Sequence, residues 1–221
     1  ARPADAFETA LEAVRIALKF MTPVIVLSDA YIANGSEPWR LPAVEDITAI
    51  ASGRIAPGTE PNGYKVYARD PQTLARRWAV PGVAGFEHRI GGIEKHELTG
   101  NVNYDPLNHE KMVHTRAAKV AGVARSLPRL QIYGEEKGKL LVLGWGSTFG
   151  AIRAAVHHVR ESGLSVSHAH LRYLNPFPEN LGQVLGSFET ILVPELNLGQ
   201  LAFVLQGKFL RKIDSLSKVQ G

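Results

Sequence analysis

The sequence predicts an α/β protein whose second half folds around a parallel sheet. Hydrophobic residues make up 45% of the 221 residues and charged residues 21%, the composition of a chain with a packed core. After residue 106, short apolar runs of strand length alternate with longer segments of helical periodicity. The turns between these segments are short, which favours right-handed βαβ units and hence a parallel sheet.

The first 27 residues predict a helix followed by a strand. Asp5 is the expected N-cap, and Glu8 stands at the capping-box position. Four apolar residues at helical spacing then predict one buried face: Phe7, Leu11, Val14 and Leu18. After Pro23, the apolar run 24–27 predicts a buried parallel strand, because both faces of such a strand must be covered. We therefore expect the chain to open with the last helix–strand unit of an α/β sheet.

Residues 31–106 interrupt this regularity. They contain nine glycines and seven prolines, which argue against long helices. They also contain seven aromatic residues: Tyr31, Trp39, Tyr64, Tyr67, Trp78, Phe86 and Tyr104. A loop region this long and this aromatic is not typical of a free linker. We interpret it as an excursion that packs on another subunit.

Regular structure is predicted to return at Asp105-Pro106, a helix start with Asp as N-cap and Pro at the first helical position. The predicted apolar stripe of that helix comprises Val113, Ala117, Val120, Ala124 and Leu127. Strands follow at 139–143, 165–174 and 190–193, with helices at 149–162, 181–185 and 200–213 between and after them. We therefore divide the chain into domains 1–105 and 106–221.

A glycine-containing turn, Gly144-Trp-Gly-Ser-Thr148, joins the first of these strands to a helix. Gly146, Ser147 and Thr148 are candidate binding residues, since a helix N-terminus offers unpaired N–H groups to an anion such as phosphate. The spacing matches neither a dinucleotide fingerprint nor a P-loop. A capped helix start without a ligand is the simpler interpretation.

The segment Glu195-Leu-Asn-Leu-Gly-Gln200 follows the third strand. Open α/β sheets place ligands at the carboxyl ends of their strands. Glu195, Asn197 and Gln200 are therefore candidate binding residues, and turn chemistry at Asn197 and Gly199 explains the segment equally well. Both turns should lie at the same edge of the sheet.

Metal and nucleic-acid binding are disfavoured by the sequence. The eight histidines show no ligand spacing with a carboxylate, so no metal site is predicted, and His168 and His170 merely share a strand face. The formal net charge of +4 is small, and the basic residues are not gathered into a stripe. The C-terminal group of Lys208, Arg211, Lys212 and Lys218 is most simply a solvated helix end.

The lack of cysteine and of long apolar runs excludes further classes of site and of protein. With no cysteine, the chain by itself forms no disulfide, zinc–thiolate site or iron–sulfur cluster, and it has no cysteine nucleophile. No apolar run approaches the roughly 18 residues that a membrane span needs. These features are compatible with a reducing compartment, and we expect a cytoplasmic protein without membrane or nucleic-acid partners.

Several stretches stand out beyond their composition: residues 22–29, 36–39, 91–105, 108–113, 171–178 and 194–200. Together they resemble the alpha subunits of the 2-oxoacid:acceptor oxidoreductase family, specifically of 2-oxoglutarate:ferredoxin oxidoreductase. The resemblance runs nearly end to end, and residues 93–113 are the most specific to the 2-oxoglutarate branch.

The resemblance implies the end of a thiamine-diphosphate pyrimidine-type domain followed by a transketolase C-terminal-like parallel α/β domain. It implies oxidative decarboxylation of 2-oxoglutarate to succinyl-CoA, with coenzyme A as co-substrate and ferredoxin as electron acceptor. A beta subunit would hold the thiamine diphosphate, Mg²⁺ and the iron–sulfur cluster in an alpha2-beta2 assembly.

The family's catalytic Glu, which bonds the aminopyrimidine ring, belongs to an earlier part of the pyrimidine domain. Neither Glu8 nor Glu12 substitutes for it, since both stand on an amphipathic helix. We therefore assign no catalytic residue and expect a C-terminal part of the subunit that is inactive alone. The alternative is a non-catalytic anion-binding or subunit-interaction module on a transketolase-like α/β domain.

Overall fold

The computed structural model describes residues 2–55 and 62–220 and divides them into two compact units. The first unit contains residues 2–6, 27–39 and 124–220. The second contains the described residues of the ranges 7–26 and 40–123. Residues 56–61, which include Pro57 and Pro61 of the predicted excursion, lie outside the described residues. The helix that starts at Pro106 belongs to the second compact unit, together with residues that precede it in the chain. The domain division predicted from the sequence instead places this helix in the domain 106–221. That domain division remains a prediction.

The sheet of the first unit has five strands in the order β1-β3-β2-β4-β5. The strands are β1 (Ile132–Tyr133), β2 (Gly138–Trp145), β3 (Val166–Leu171), β4 (Phe188–Glu195) and β5 (Asp214–Ser217). Strands β2, β3, β4 and β5 are parallel, as predicted, and β1 adds to β3 in antiparallel orientation. Strands β1 and β5 were not predicted, because strands of two and four residues are too short to show a periodic pattern.

Helices cover both faces of this sheet. The helices of the chain are α1 (Asp5–Phe20), α2 (Ala30–Asn34), α3 (Pro106–Gly122), α4 (Phe149–Glu161), α5 (Leu181–Gly186) and α6 (Gln200–Phe209). Leu141 and Leu143 of β2 point into a core formed with α5 and α6. Val142, between them, belongs to a smaller core with Ile152 and Val156 of α4. This alternation is the reason β2 is apolar at successive positions.

The predicted strand at 24–27 is wrong. These residues form no strand, and their apolar side chains are open to solvent, with Ile25 83% and Leu27 66% exposed. A strand needs a hydrogen-bonded neighbour, and the described residues place none beside this run. Directly after it, Asp29 caps α2, a short helix that the sequence analysis did not predict.

The excursion has the irregular structure that was expected. Its described residues contain α2, one 3-10 turn at Val44–Asp46 and three isolated bridges. Asp105 caps α3 as predicted, accepting from the Leu107 N–H at 3.0 Å.

The buried face of α3 differs from the predicted stripe. Val113 is 43% exposed and Ala117 is exposed, whereas Asn108 and Met112 are buried. The side chain of Asn108 accepts from the Glu97 N–H and donates to the Lys95 carbonyl, which turns this face inward. A hydrophobic pattern cannot show that a polar residue anchors the buried face.

Other boundaries agree with the predictions to within a few residues. Asp5 is the first residue of α1 rather than a residue before it, and Val14 on the predicted face is 47% exposed. Helix α6 ends at Phe209, four residues before the predicted end, because Leu210 adopts a left-handed conformation with φ 49°. Within the described residues, no helix has the length and apolarity required to cross a membrane.

Candidate functional site

The turn after β2 is built around two glycines. A Cβ on Gly144 would lie 2.6 Å from Ile152 Cδ1 and 3.0 Å from His170 Nδ1, so a larger residue there would force these side chains to move. Gly146 has φ +60°, the left-handed region that glycine adopts without strain. Thr148 Oγ1 donates to the Trp145 carbonyl at 2.6 Å. This bond lies within the turn, and Thr148, the N-cap of α4, makes no side-chain hydrogen bond to the first turn of that helix.

A carboxylate of the same unit occupies the anion position predicted at this turn. Asp29 Oδ2 accepts from the Ser147 N–H at 3.3 Å, and its Oδ1 accepts from the Ile32 N–H at 3.0 Å. Burial raises the pKa of Asp29, but hydrogen bonds from Ser147 and Ile32 outweigh burial and hold it below its usual value. Asp29 had no evident partner in the sequence, and its pairing with Ser147 spans 118 positions.

Glu195 is buried at the end of β4, with 2% of its surface exposed. Its carboxylate accepts from the Leu201 and Ala202 N–H groups, both at 3.0 Å, and from Trp145 Nε1 at 3.2 Å. The first two bonds satisfy orphan donors at the start of α6, where the helix dipole also favours a negative charge. This arrangement gives Glu195 a capping role.

The other two candidates in this segment show turn chemistry. Asn197 Oδ1 accepts from the Gly199 N–H at 2.8 Å and from the Gln200 N–H at 3.0 Å. Gly199 has φ +87°, and Gln200 is the exposed first residue of α6. Ligand binding at these residues stays a prediction.

The two turns lie at the same edge of the sheet, as predicted. Strands β2 and β4 are parallel neighbours, and the bond between Trp145 and Glu195 joins their carboxyl ends. Of the candidates, the oxygen atoms of Thr148, Glu195 and Asn197 engage groups of the protein itself.

His168 and His170 share a face of β3, as expected, but the burial of their ring nitrogens near the same edge was not predicted. The imidazoles of His168 and His170 on β3 lie 6.0 Å apart, and Phe149 packs against both at 5.7 and 5.1 Å between centroids. Their ring nitrogens are buried without a hydrogen-bond partner among the described residues. Burial lowers the pKa of each to about 4, so both rings are neutral at neutral pH. Their i, i+2 spacing on a central strand was the available signal.

The described residues contain no group of three or more side chains that could hold a metal ion. Thiamine diphosphate chemistry would need a carboxylate able to bond the aminopyrimidine ring. Among the described residues the buried carboxylate is that of Glu195, and protein donors already occupy it. Glu195 is therefore assigned no contact with thiamine diphosphate, and the absence of a catalytic residue from this chain stays a prediction.

The aromatic residues of the excursion fall into two groups. Tyr64 packs edge-on against Phe86 with centroids 4.8 Å apart, and Trp78 Nε1 donates to the Leu18 carbonyl at 3.0 Å. Tyr31, Trp39 and Tyr104 are 74%, 45% and 84% exposed. Tyr64, Phe86 and Trp78 thus contact other residues of the second unit, whereas the side chains of Tyr31, Trp39 and Tyr104 are exposed.

Two family models match the chain. Residues 1–104 match the thiamine diphosphate-binding domain of pyruvate flavodoxin/ferredoxin oxidoreductases. Residues 138–218 match core domain II of pyruvate:ferredoxin oxidoreductase. The predicted fold class is thereby confirmed.

Curated relatives and a solved structure agree with these matches. The 2-oxoglutarate oxidoreductase subunit KorA of Mycobacterium tuberculosis is 52% identical over 99% of this chain, which covers 33% of that subunit. The alpha subunit of 2-oxoacid:ferredoxin oxidoreductase 1 from Aeropyrum pernix is 31% identical over 91% of this chain, which covers 32% of that protein. The 2-oxoglutarate:ferredoxin oxidoreductase of Magnetococcus marinus, solved with 2-oxoglutarate, coenzyme A and succinyl-CoA bound, superposes with a TM-score of 0.87. That match has 28% identity and covers 97% of this chain and 37% of that one.

The chain thus spans about a third of the length of these relatives. Both family models and the identity to KorA confirm the resemblance found in the sequence. The chain belongs to the family of 2-oxoacid oxidoreductase alpha subunits.

Proposed function

We propose that this chain is part of the alpha subunit of a thiamine-diphosphate-dependent 2-oxoglutarate:ferredoxin oxidoreductase. The enzyme would convert 2-oxoglutarate and coenzyme A to succinyl-CoA and CO₂, passing two electrons to ferredoxin. The observation that carries this proposal is the 52% identity to a 2-oxoglutarate oxidoreductase subunit over 99% of the chain. The ligands named for the Magnetococcus structure are the same substrate, co-substrate and product.

The proposed division of labour starts from the composition of this chain. Its 221 residues contain no cysteine, so they supply no thiolate ligand to an iron–sulfur cluster. We assign that cluster, Mg²⁺ and most contacts to thiamine diphosphate to a beta subunit in an alpha2-beta2 complex. Electrons would leave through ferredoxin, and the complex would act in the cytoplasm.

The activity test compares the isolated chain with the complex that it forms in its host. We expect the purified 221-residue chain to show no reduction of a viologen dye with 2-oxoglutarate, coenzyme A and thiamine diphosphate. The reason is that these residues contain no cysteine and that no catalytic carboxylate is assigned among them. Turnover by the isolated chain would contradict the proposed division of labour.

The complex itself is obtained by placing an affinity tag on this subunit at the chromosomal gene. We expect the purified complex to reduce the dye with 2-oxoglutarate and to depend on coenzyme A. Pyruvate serves as the matched substrate control. A complex that prefers pyruvate would overturn the substrate assignment. A complex that contains no thiamine diphosphate would overturn the enzyme assignment.

Trp39 tests the proposed partner surface. The Trp39→Ala variant is expected to weaken association with the beta subunit by about 2 kcal/mol, because a half-exposed tryptophan is a typical interface anchor. Association is measured by titrating beta subunit onto immobilised chain. Leu164→Ala, which removes an exposed apolar side chain from the loop after α4, is the control. Equal affinity for wild type and Trp39→Ala would remove Trp39 from the interface.

A further inference from the structure

Four cationic side chains come together in the second compact unit and are named here the cationic cluster: Arg69, Arg76, Arg116 and Lys119. Arg69 and Arg76 face each other across an isolated antiparallel bridge. Arg116 precedes Lys119 by three residues on α3, so both lie on one side of that helix. The charge of Arg69 interacts with those of Arg76 and Arg116, and the charge of Lys119 interacts with all three arginines.

Neutral groups hold three of the four cations in place. Arg69 Nη1 donates to the Leu74 carbonyl at 2.9 Å, and Lys119 Nζ donates to the Met21 carbonyl at 2.7 Å. The guanidinium of Arg76 lies 4.4 Å from the centre of the Tyr67 ring. These contacts orient the side chains without neutralising them, and each cation carries more N–H donors than the described contacts use.

The fourth cation, Arg116, is paired with a carboxylate. Its Nη1 and Nη2 donate to Glu94 Oε1 and Oε2 at 3.1 and 3.2 Å. The hydrogen bonds from Arg116 lower the pKa of Glu94 to about 2, so Glu94 is ionised throughout the physiological range. Glu94 also contacts His109 Nδ1 at 2.8 Å. Among the contacts of the described residues, Glu94 pairs with Arg116, and no carboxylate pairs with Arg69, Arg76 or Lys119, so a positive excess remains.

The neighbouring cations also lower one another's pKa values. Burial, followed by the charges of the three arginines, lowers the pKa of Lys119 to about 8. Burial and the charges of Arg76 and Arg116 also lower the pKa of Arg69. The side chain of Arg116 is 46% exposed, which gives a ligand access from solvent. An anion arriving from solvent would offset the repulsion that the protein leaves uncompensated.

We propose that the cationic cluster binds a small dianion of the phosphate class, either free phosphate or the phosphate group of a monoester. Guanidinium groups bind phosphate oxygens with two parallel hydrogen bonds, and a lysine adds a point charge. Two negative charges match the excess better than the single charge of a monocarboxylate. This site is independent of the proposed oxidoreductase activity.

Titration of the full chain tests the proposal directly. Inorganic phosphate, glycerol 3-phosphate and acetate are added at constant ionic strength, and binding is followed by calorimetry and by amide chemical shifts. We expect both phosphate compounds to bind and acetate to bind at least about tenfold more weakly. A tighter monoester indicates an esterified ligand, and a tighter inorganic phosphate indicates the free ion. If the three anions cause equal heats and equal chemical-shift changes, as a non-specific effect of salt would, the proposal is wrong.

Substitutions locate the site. Arg69→Gln is expected to weaken phosphate binding by about tenfold, because it removes one charge-assisted donor pair. Arg40→Gln, at an exposed arginine of the same unit outside the cluster, is the matched control and should leave the affinity unchanged. If both variants bind phosphate as wild type does, the cluster is not the site. Circular dichroism of each variant establishes that it is folded.

Lys119 supplies a readout that a purely structural role would not give. The groups facing it are Arg69, Arg76 and Arg116, with Glu94 and His109 next to Arg116. Because a bound dianion favours protonated Lys119, sulfate affinity should fall as the pH rises from about 7 to about 9. Sulfate is used because it does not titrate in this range. Lys119→Arg should retain binding and lose this pH dependence; a wild-type affinity that is flat with pH would contradict the role of Lys119.

Discussion

Glu195→Ala is expected to destabilise the first compact unit by about 4 kcal/mol, since it leaves two buried N–H groups at the start of α6 without an acceptor. The substitution also removes the negative charge that the helix dipole favours at this end. For a domain of this size, such a loss lowers the midpoint of thermal unfolding by about 10 °C. Trp145 is the natural reporter, because its indole N–H bonds the same carboxylate at 3.2 Å.

Two further variants make this experiment specific. Glu195→Gln keeps one acceptor oxygen and should lose less stability than the alanine variant. Glu189→Ala changes an exposed carboxylate on the same strand and should leave the unfolding midpoint nearly unchanged. If Glu195→Ala and Glu189→Ala unfold at the same temperature, the capping role of Glu195 is wrong.

His168→Leu is expected to make the protein more stable than wild type at acidic pH, by about 2 kcal/mol at about pH 5. Burial lowers the pKa of His168 from 6.5 to about 4 in the folded state. Between these two values the unfolded chain binds more protons than the folded chain, so the wild type loses stability as the pH falls. Leucine has a similar volume, carries no proton and leaves no unpaired ring nitrogen in the core.

Urea unfolding across the acidic range, followed by tryptophan fluorescence, measures this effect. The stability of wild type should fall steeply below about pH 6, and the slope should be smaller in His168→Leu. His170 remains in this variant and titrates in the same direction, so part of the slope persists. His158→Leu, at an exposed histidine of α4, is the control and should reproduce the wild-type slope. Identical slopes in wild type and His168→Leu would contradict a buried, neutral His168.

Much of the α/β architecture could be predicted from the sequence. Strand β2 and helices α4 and α5 were placed to within a few residues, since apolar periodicity, Asp-Pro starts and glycine stops are local properties. The common edge of the two turns followed from the same alternation, because parallel strands end on one side. The family was recognised from its motifs, which occur in consecutive residues.

The errors arose where a local pattern depends on distant partners. The run Val24–Leu27 has the composition of a buried strand, yet pairing requires a neighbouring strand that no local pattern provides. On α3, Asn108 rather than the apolar stripe faces inward, because its amide bonds backbone groups 11 and 13 positions away. Hydrophobicity alone could not predict that rotation of the helix.

Composition, local periodicity and consecutive motifs were enough to predict the class of protein, strands β2, β3 and β4 with the helices between them, and the family. The roles of the candidate residues depend on tertiary contacts. Folding brings the Asp29 carboxylate to the Ser147 N–H across 118 positions, turns Glu195 inward as a cap, and encloses His168 with no hydrogen-bond partner among the described residues. It also gathers Arg69, Arg76, Arg116 and Lys119 from separate segments. Electrostatic and hydrogen-bond energies depend on distances in space, which sequence spacing fixes only within a single helix or strand.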